Sequence, residues 1–445
     1  MFGALIRNRF GLKRFRFNPK CESQDSHKDS PALDEEAFSL LMKGFAPFSK
    51  KVALAISGGA DSMALAFCVK RWAQSDCIAF IVEHGLRLES AAEAAQVKKQ
   101  LQRMGIPTEI LPWKHGNLPA RIEETARKAR YRLLTEACRR HGAEDLLIAH
   151  HSSDQAETIL MRLAKGSGID GLAGIAPQHV RDGIRLLRPF LSIPKERLIA
   201  TCNAAHIATV TDPTNASKKY ARGRLRKILP LLAAEGLTIE SLTTLGLRAR
   251  EAKDALNHTT QEFLKKAAQV EKGGSLRIDR PALRAAPREI ALRALSACLR
   301  YIHDDEYPPE HASLSSILDT LIGTDEQART LYGCIVSPAE NRVTILREPA
   351  AVREILPLSS GQKVLWDERW LVTANSTALP ATIRALGNPP HELIDALAPG
   401  LRHQIPQGRI RATLPALWDG DVLRAIPSFD ENADFHLAYR NPDIS

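Results

Sequence analysis

Ser57-Gly58-Gly59-Ala60-Asp61-Ser62 lies between the apolar run 52–56 and the helix-forming run 63–70, and this strand, loop and helix decide the fold. Two adjacent glycines free the backbone, and a serine at each end adds a hydroxyl group. Such a loop can direct N–H and O–H groups at phosphate oxygens, and the helix N-terminus adds partial positive charge. An ordinary turn with Ser62 as the helix N-cap is the alternative. The flanking strand and helix favour a nucleotide-phosphate site.

The spacing of this loop excludes two common phosphate-binding motifs. A Walker A loop needs a Lys-Ser/Thr pair after its second glycine, and the dinucleotide motif needs Gly-x-Gly-x-x-Gly. The loop resembles instead the PP-loop of the ATP pyrophosphatases. That resemblance implies cleavage of ATP between its α- and β-phosphates and adenylation of a substrate oxygen.

The composition is that of a globular protein, and a length of 445 residues predicts about three domains. The net charge is +10, but residues 1–20 carry six basic residues and no acid, which leaves only +4 for the remaining chain. Overall charge is therefore weak support for nucleic-acid binding. No apolar run approaches the roughly 20 residues of a membrane span, so no membrane association is expected.

The seven cysteines never approach C-x-x-C spacing, which argues against a zinc ribbon or an iron–sulfur site. Unpaired apolar cysteines are typical of a reducing compartment, so a cytoplasmic location is expected. Residues 1–20 are Arg-rich and acid-free, which is also typical of an organelle transit peptide. A bacterial N-terminal arm has the same composition.

Changes of pattern along the chain divide it into four segments. Residues 1–35 form a basic arm and a polar linker. Residues 36–230 alternate short β-type runs with helical stretches, which predicts an α/β fold with a doubly wound parallel sheet. Residues 231–348 predict a mainly helical domain, and residues 349–445 predict a small α+β domain. The predicted strands of the parallel sheet are 52–56, 78–82, 108–111 and 146–149.

Four further motifs of the first domain stand in the same order as in one family. Together with residues 57–62 they resemble the tRNA(Ile)-lysidine synthetases over about residues 48–230, and the ordered set is far more specific than any single motif. The resemblance implies the adenine nucleotide alpha hydrolase-like fold of the PP-loop ATPases. The four motifs are 82–87 (Val-Glu-His-Gly-Leu-Arg), 123–131, 149–157 continuing to 166–168, and 212–215 with Tyr220 and 222–224.

The resemblance implies a two-step ligation on the wobble cytidine of tRNA(Ile) with a CAU anticodon. ATP first adenylates the C2 carbonyl oxygen, and the amine of free L-lysine then displaces AMP to give lysidine. Decoding changes from AUG to AUA. Residues 231–348 and 349–445 would both bind tRNA, and a homodimer is one expected assembly.

The ATP site follows from the loop and from the end of the second predicted strand. Ser57, Gly58, Gly59, Ala60, Asp61 and Ser62 would bind the phosphates, with Asp61 orienting the loop or binding Mg²⁺. His84, Gly85 and Arg87 follow the second strand, at the edge where open α/β sheets bind ligands, and would border the adenosine. The alternative is that Gly85 only turns the chain and that Arg87 is solvated.

Two acids, Asp154 and Glu157, stand three residues apart on a helix and so share one face. A lysine substrate needs an anionic pocket for its ammonium group, and its amine must lose a proton before attack. A capping box and a transition-metal site with His150 and His151 are the alternatives. The resemblance favours lysine or magnesium binding, and it adds Arg130 as a catalytic or lysine-binding residue.

A basic cluster without acids spans residues 218–227 and predicts tRNA contact, against the alternative of a solvated basic face. Two departures from the family pattern are visible: Glu83 replaces an Asp, and Gly223 replaces an Asn between two arginines. The second departure puts the geometry of the arginines in question. The predicted tRNA-binding residues are Lys218, Lys219, Arg222, Arg224 and Arg226.

Two other functions compete with an RNA-modifying ligase. Another PP-loop synthetase would adenylate a small molecule without any need for RNA. A nonenzymatic RNA-binding protein would bind without releasing pyrophosphate, but the intact loop and the paired acids argue against it.

Overall fold

The computed structural model describes residues 30–72, 76–85, 90–115, 122–210, 221–303, 308–375, 380–429 and 435–439. The N-terminal arm, Arg87, the motif at 212–215, Lys218, Lys219 and Tyr220 therefore lie outside the described residues. The chain forms two compact units, Met1–Glu251 and Ala252–Ser445.

The first unit alternates strands and helices along the chain. Its strands are β1 (Lys51–Ile56), β2 (Asp76–Glu83), β3 (Thr108–Pro112), β4 (Asp145–Ile148), β5 (Gln178–Arg181) and β6 (Ile184–Leu187). Its helices are α1 (Glu35–Lys43), α2 (Ala60–Trp72), α3 (Ser90–Arg103), α4 (Ile122–His141), α5 (Ser152–Leu163), α6 (Ile169–Leu172), α7 (Lys195–Ala204), α8 (Ala221–Ala234) and the first half of α9 (Ile239–Ala267).

The six strands form one sheet in the order β3-β2-β1-β4-β6-β5. Strand β1 pairs in parallel with both β2 and β4, so the chain leaves β1 in one direction along the sheet and returns on its other side. A reversal of this kind opens a crevice at the carboxyl ends of the central strands. The loops after β1 and β4 both begin at that crevice.

Helices cover both faces of this sheet. Along β1, Val52, Leu54 and Ile56 pack into a core with α1, α2, α3 and α7, whereas Ala53 and Ala55 pack into a second core with α4. This alternation follows from the two-residue period of a strand, and burial on both faces explains why β1 is apolar from Val52 to Ile56. The prediction of a doubly wound parallel sheet is confirmed.

One detail of this sheet differs from the sequence prediction. Strands β5 and β6 were not among the predicted strands, and β5 runs antiparallel at the edge. Each of the two strands has only four residues, and β5 is mostly exposed, so neither gives a long periodic signal.

The second unit is built on antiparallel sheets. After α9 come β7 (Ala268–Val270), β8 (Leu276–Asp279), α10 (Arg280–Ala285), α11 (Arg288–Ile302), α12 (His311–Ile322), β9 (Arg329–Leu331), β10 (Cys334–Pro338) and β11 (Arg342–Arg347). These five strands form one sheet in the order β7-β8-β11-β10-β9, and α10, α11 and α12 pack on it around a shared apolar core.

The rest of the second unit consists of two small sheets and three short helices. Strands β12, β15, β16 and β17 form one sheet, and β13, β14 and β18 form the other. The bounds are β12 (Leu356–Leu358), β13 (Lys363–Trp366), β14 (Trp370–Ala374), β15 (Ala381–Ala385), α13 (His391–Asp395), α14 (Leu401–Gln404), α15 (Arg409–Ala412), β16 (Pro415–Asp419), β17 (Val422–Ala425) and β18 (Phe435–Tyr439).

Buried arginines hold the second unit together. Arg280 is 1% exposed, and its guanidinium donates to the carbonyl oxygens of Leu321, Ala339, Gly323 and Asp325 at 2.8–2.9 Å. Arg280 thereby ties the start of α10 to the segments that follow α12 and β10.

Among the described helices, none by itself has the length and apolar composition needed to cross a membrane. The bent pair α8 and α9, at 97° to each other, meets that requirement only when both helices are taken together.

Candidate active site

The loop between β1 and α2 is held by its two serines. The Ser62 hydroxyl accepts from the backbone N–H of Ser57 at 3.2 Å and donates to the carbonyl oxygen of Gly59 at 3.0 Å. Helix α2 begins at Ala60, so Ser62 lies in its first turn and is not the N-cap. The loop is therefore not an ordinary Ser-capped turn.

Gly58 has a φ of +86°, a conformation that L-residues other than glycine rarely adopt. A Cβ atom there would lie 2.6 Å from Cγ2 of Val97, on α3. The Gly58 carbonyl oxygen accepts from the N–H of Val210 at 2.9 Å. Both backbone freedom and space thus require glycine at this position.

Asp61 faces the crevice with an unsatisfied carboxylate. Its Oδ1 is buried and makes no hydrogen bond with any described residue, and its Oδ2 lies 3.6 Å from Nε2 of His151. Burial raises the pKa of Asp61, while His151 and Lys195 act in the opposite direction. A buried acceptor without a partner is costly in a folded protein, so it marks a place where a ligand or ion would bind.

Asp154 lies beside His151, across the crevice from the loop. Its Oδ2 accepts from the backbone N–H of His151 at 3.1 Å and lies 3.6 Å from Nε2 of the same residue. His151 is the N-cap of α5, and its Nδ1 has no hydrogen-bond partner in the described part of the chain. The capping box therefore joins His151 to Asp154 and not Asp154 to Glu157, so the capping alternative was wrong about which residues form it. The carboxylate of Asp154 also stays close to Asp61.

Glu157 is 1% exposed, and its carboxylate forms an ion pair with an arginine. Arg226 of α8 donates from Nε to Oε1 at 2.5 Å, and Nε of Arg222 lies 3.9 Å from Oε2. Burial of Arg226 opposes its charge, but the bond to Glu157 outweighs that effect and raises the pKa of Arg226. The structure thus joins a predicted lysine-binding acid to two predicted tRNA-binding arginines.

Arginine side chains lie close to the imidazole of His150. Arg188 donates from Nε to Nδ1 of His150 at 3.2 Å. Burial, together with the charges of Arg188 and Arg130, lowers the pKa of His150 to about 3, against the opposing charge of Asp154. The imidazole is therefore neutral near pH 7. Burial would raise the pKa of Tyr131, but Arg127, Arg188 and Arg130 together lower it.

His84 and Gly85 form a turn at the end of β2. Glu83 Oε1 accepts from the N–H of Gly85 at 2.7 Å and from the hydroxyl of Ser90 at 2.5 Å. The longer side chain of Glu83 thus closes the turn and anchors the start of α3. His84 has a buried Nδ1 that bonds to none of the described residues, and burial lowers the pKa of its ring.

The crevice therefore gathers residues from four predicted motifs and from the basic cluster. Asp61, Asp154 and Glu157 come together with Arg226, whereas Arg130 lies with His84 and His150 on the cationic side. Sequence reasoning missed Arg188 and Lys195, which belong to no motif. The only sequence signal for them is their position after an apolar run and after Pro194, respectively.

Comparison with known families agrees with this arrangement. Residues 34–232 match the PP-loop domain. The parallel sheet with the Gly58–Gly59 loop at its switch point thus defines a PP-loop ATP-binding protein.

Three curated relatives extend the match beyond this domain, and all are tRNA(Ile)-lysidine synthases. The one from Methylobacterium sp. strain 4-46 is 41% identical over 306 residues, 67% of this chain and 89% of that protein. The one from Ruegeria pomeroyi is 34% identical over 385 residues, 85% and 88% of the two chains. The one from Bradyrhizobium sp. strain BTAi1 is 40% identical over 332 residues, 68% and 92%. The chain belongs to the tRNA(Ile)-lysidine synthase family.

Proposed function

We propose that this chain joins free lysine to C2 of the wobble cytidine of tRNA(Ile) with a CAU anticodon. The C2 carbonyl oxygen attacks the α-phosphorus of ATP, and the bond to the oxygen that bridges to the β-phosphate breaks, so pyrophosphate leaves. The lysine ε-amine then attacks C2 and loses a proton, and AMP leaves with the C2–O bond electrons. Family membership supports this reaction. The modified cytidine would change decoding from AUG to AUA.

The observation that carries the proposal is the convergence of Asp61 with Asp154 at one crevice, 3.6 Å on either side of His151 Nε2. Splitting ATP and binding an amine both need charged groups at adjacent positions. A loop for phosphates beside a carboxylate for an ammonium group meets that need in one site.

Residues 57–62 would bind the ATP phosphates, and His84, Gly85 and Arg87 would border the adenosine. Mg²⁺ is usually bound through one or two carboxylates together with substrate phosphates, and the unsatisfied Oδ1 of Asp61 fits that role. The described residues contain no group of three His, Cys, Asp or Glu side chains suited to a metal. The protein would thus supply one carboxylate, and bound Mg²⁺ would offset phosphate charge.

Asp154, Glu157 and Arg130 would bind lysine. Because Arg226 already compensates Glu157, we assign the substrate ammonium first to Asp154. Arg130 lies on the cationic side of His150 and would take the carboxylate of the amino acid. The neutral imidazole of His150 separates these two charges.

Lys218, Lys219, Arg222, Arg224 and Arg226 would contact tRNA, as the basic cluster predicts. Residues 36–230 would form the catalytic domain, with tRNA-binding domains at 231–348 and 349–445. The cytoplasmic location and the homodimer also stay predictions.

Incorporation of labelled lysine tests the proposal directly. Purified protein, ATP and Mg²⁺ are incubated with CAU-anticodon tRNA(Ile), and a tRNA lacking the wobble cytidine is the control. Label confined to the cytidine-bearing tRNA is expected. Pyrophosphate release without lysine transfer would point to another acceptor and contradict the proposed substrate. Binding without any pyrophosphate release would contradict an enzyme altogether.

A further inference from the structure

Lys195 is the first residue of α7, and its side chain is half-buried. The turn before it is held against the start of α5, because the N–H of Ser152 donates to the carbonyl oxygen of Ile193 at 3.1 Å. This contact brings the N-terminus of α7 to the edge of the sheet where His151 and Asp61 meet. A helix N-terminus adds partial positive charge of its own.

Two cations act on the carboxylate of Asp61, and they differ in what else they bind. Arg226 is held by Glu157 at 2.5 Å. The ammonium group of Lys195 also stabilises the ionised Asp61, but it makes no hydrogen bond or ion pair with any residue in the described ranges. Lys195 is therefore a cation at this edge that is available to a ligand.

The loop at 57–62 contains hydroxyls, amides and one carboxylate, but no cation. Pyrophosphate is a multiply charged leaving group, and a carboxylate beside it adds repulsion. A Walker A loop solves this problem with its own lysine, which reaches the β- and γ-phosphates. In this chain a side-chain cation that assists Mg²⁺ at the phosphates has to come from another part of the fold.

We propose that Lys195 supplies this charge by binding the β- and γ-phosphates of ATP and stabilising the departing pyrophosphate. This inference rests on the proposed function. As the bond between the α-phosphorus and the bridging oxygen breaks, its electron pair stays on the pyrophosphate, and the ammonium group lies where that charge develops. Lys195 keeps its proton throughout.

Binding of magnesium pyrophosphate and of AMP, measured separately by calorimetry, tests the proposal without tRNA or lysine. Lys195→Met is expected to weaken pyrophosphate binding by about 10- to 100-fold, the size of a charge-assisted hydrogen bond. AMP binding should stay unchanged, and Lys195→Arg should recover most of the pyrophosphate affinity. Lys99→Met, at an exposed lysine of α3, is the matched control and should bind both ligands like the wild type.

Each outcome discriminates between the two proposals. Equal pyrophosphate binding by the wild type and Lys195→Met would overturn the role of Lys195 and leave the ligase proposal intact. Equal loss of pyrophosphate and AMP binding would also overturn it, because a lysine that only supports the local fold affects both ligands. A wild-type protein that binds neither ATP nor pyrophosphate would overturn the proposed function itself.

Discussion

The crevice of the first unit and three buried arginines of the second unit, Arg280, Arg347 and Arg369, differ in how their polar atoms are satisfied. Arg280 makes four hydrogen bonds to carbonyl oxygens, and Asp367 is bound by Arg347 and Arg369 at 3.2 and 2.7 Å. In the crevice, Oδ1 of Asp61 and Nδ1 of His151 have no partner among the described residues.

This difference separates stability from function. A buried charge whose hydrogen bonds are all made supports the fold. Removing one partner leaves the remaining polar groups buried without compensation, which is costly in a medium of low dielectric constant. A buried charged group that lacks a hydrogen-bond partner lowers the stability of the free protein. Such a group is retained where a ligand supplies the missing partner. Substitutions in the two regions should therefore change different measurements.

The largest effect is expected from Asp61→Asn. The amide keeps the shape of the side chain but removes the charge that would hold Mg²⁺ and orient the loop. Pyrophosphate release should fall by about 1,000-fold, at the upper range for loss of one electrostatic contact in an active site. Affinity for tRNA, measured by filter binding, should stay within about twofold, because the basic cluster is unchanged.

Asp254→Asn, at an exposed aspartate of α9, is the control for charge loss alone. Loss of tRNA binding in Asp61→Asn would contradict the separation of the phosphate and tRNA sites.

A smaller effect, and one on stability, is expected from Arg280→Met. Four carbonyl contacts are lost, so the free energy of unfolding should fall by about 3 kcal/mol, as for other broken buried networks. Urea unfolding monitored by circular dichroism measures the change. Arg277→Met, three residues before Arg280, removes a half-exposed pair with Glu271 and should cost less than about 1 kcal/mol. If both variants cost the same, Arg280 is not the cation that holds this unit together.

The smallest expected effect is a gain of stability in Asp61→Asn. The raised pKa of Asp61 means that the folded protein binds its proton more tightly than the unfolded chain, whose carboxyl titrates near 3.8. Ionisation therefore destabilises the fold as pH rises above 3.8. At pH 7 the variant should be more stable than the wild type, and the difference should vanish at pH 3. A variant that is less stable at pH 7 would show that the ionised carboxylate is satisfied in the free protein.

Local patterns in the sequence predict the loop and the strands that form the crevice. They do not predict hydrogen bonds and ion pairs between residues that are far apart in the sequence. The loop at 57–62, the strand before it and the helix after it follow from glycine spacing and apolar runs. The bond between Glu157 and Arg226 joins residues 69 positions apart, and no periodicity reports it. Arg280 resembles a surface residue in sequence, because its burial depends on carbonyl groups that only the folded chain brings together.

Because two arginines lie beside Glu157, the basic stretch 218–227 offers fewer cations to RNA phosphates than its sequence contains. A cation releases a condensed counterion from RNA only when it neutralises a phosphate, and the salt dependence of binding reports the number of such cations. Arg222 and Arg226 lie within 3.9 Å of an internal carboxylate, so part of their charge is already compensated. The stretch would then compete for phosphates with fewer cations than its sequence contains. If tRNA binds there as proposed, its binding should tolerate more salt than six basic residues would suggest.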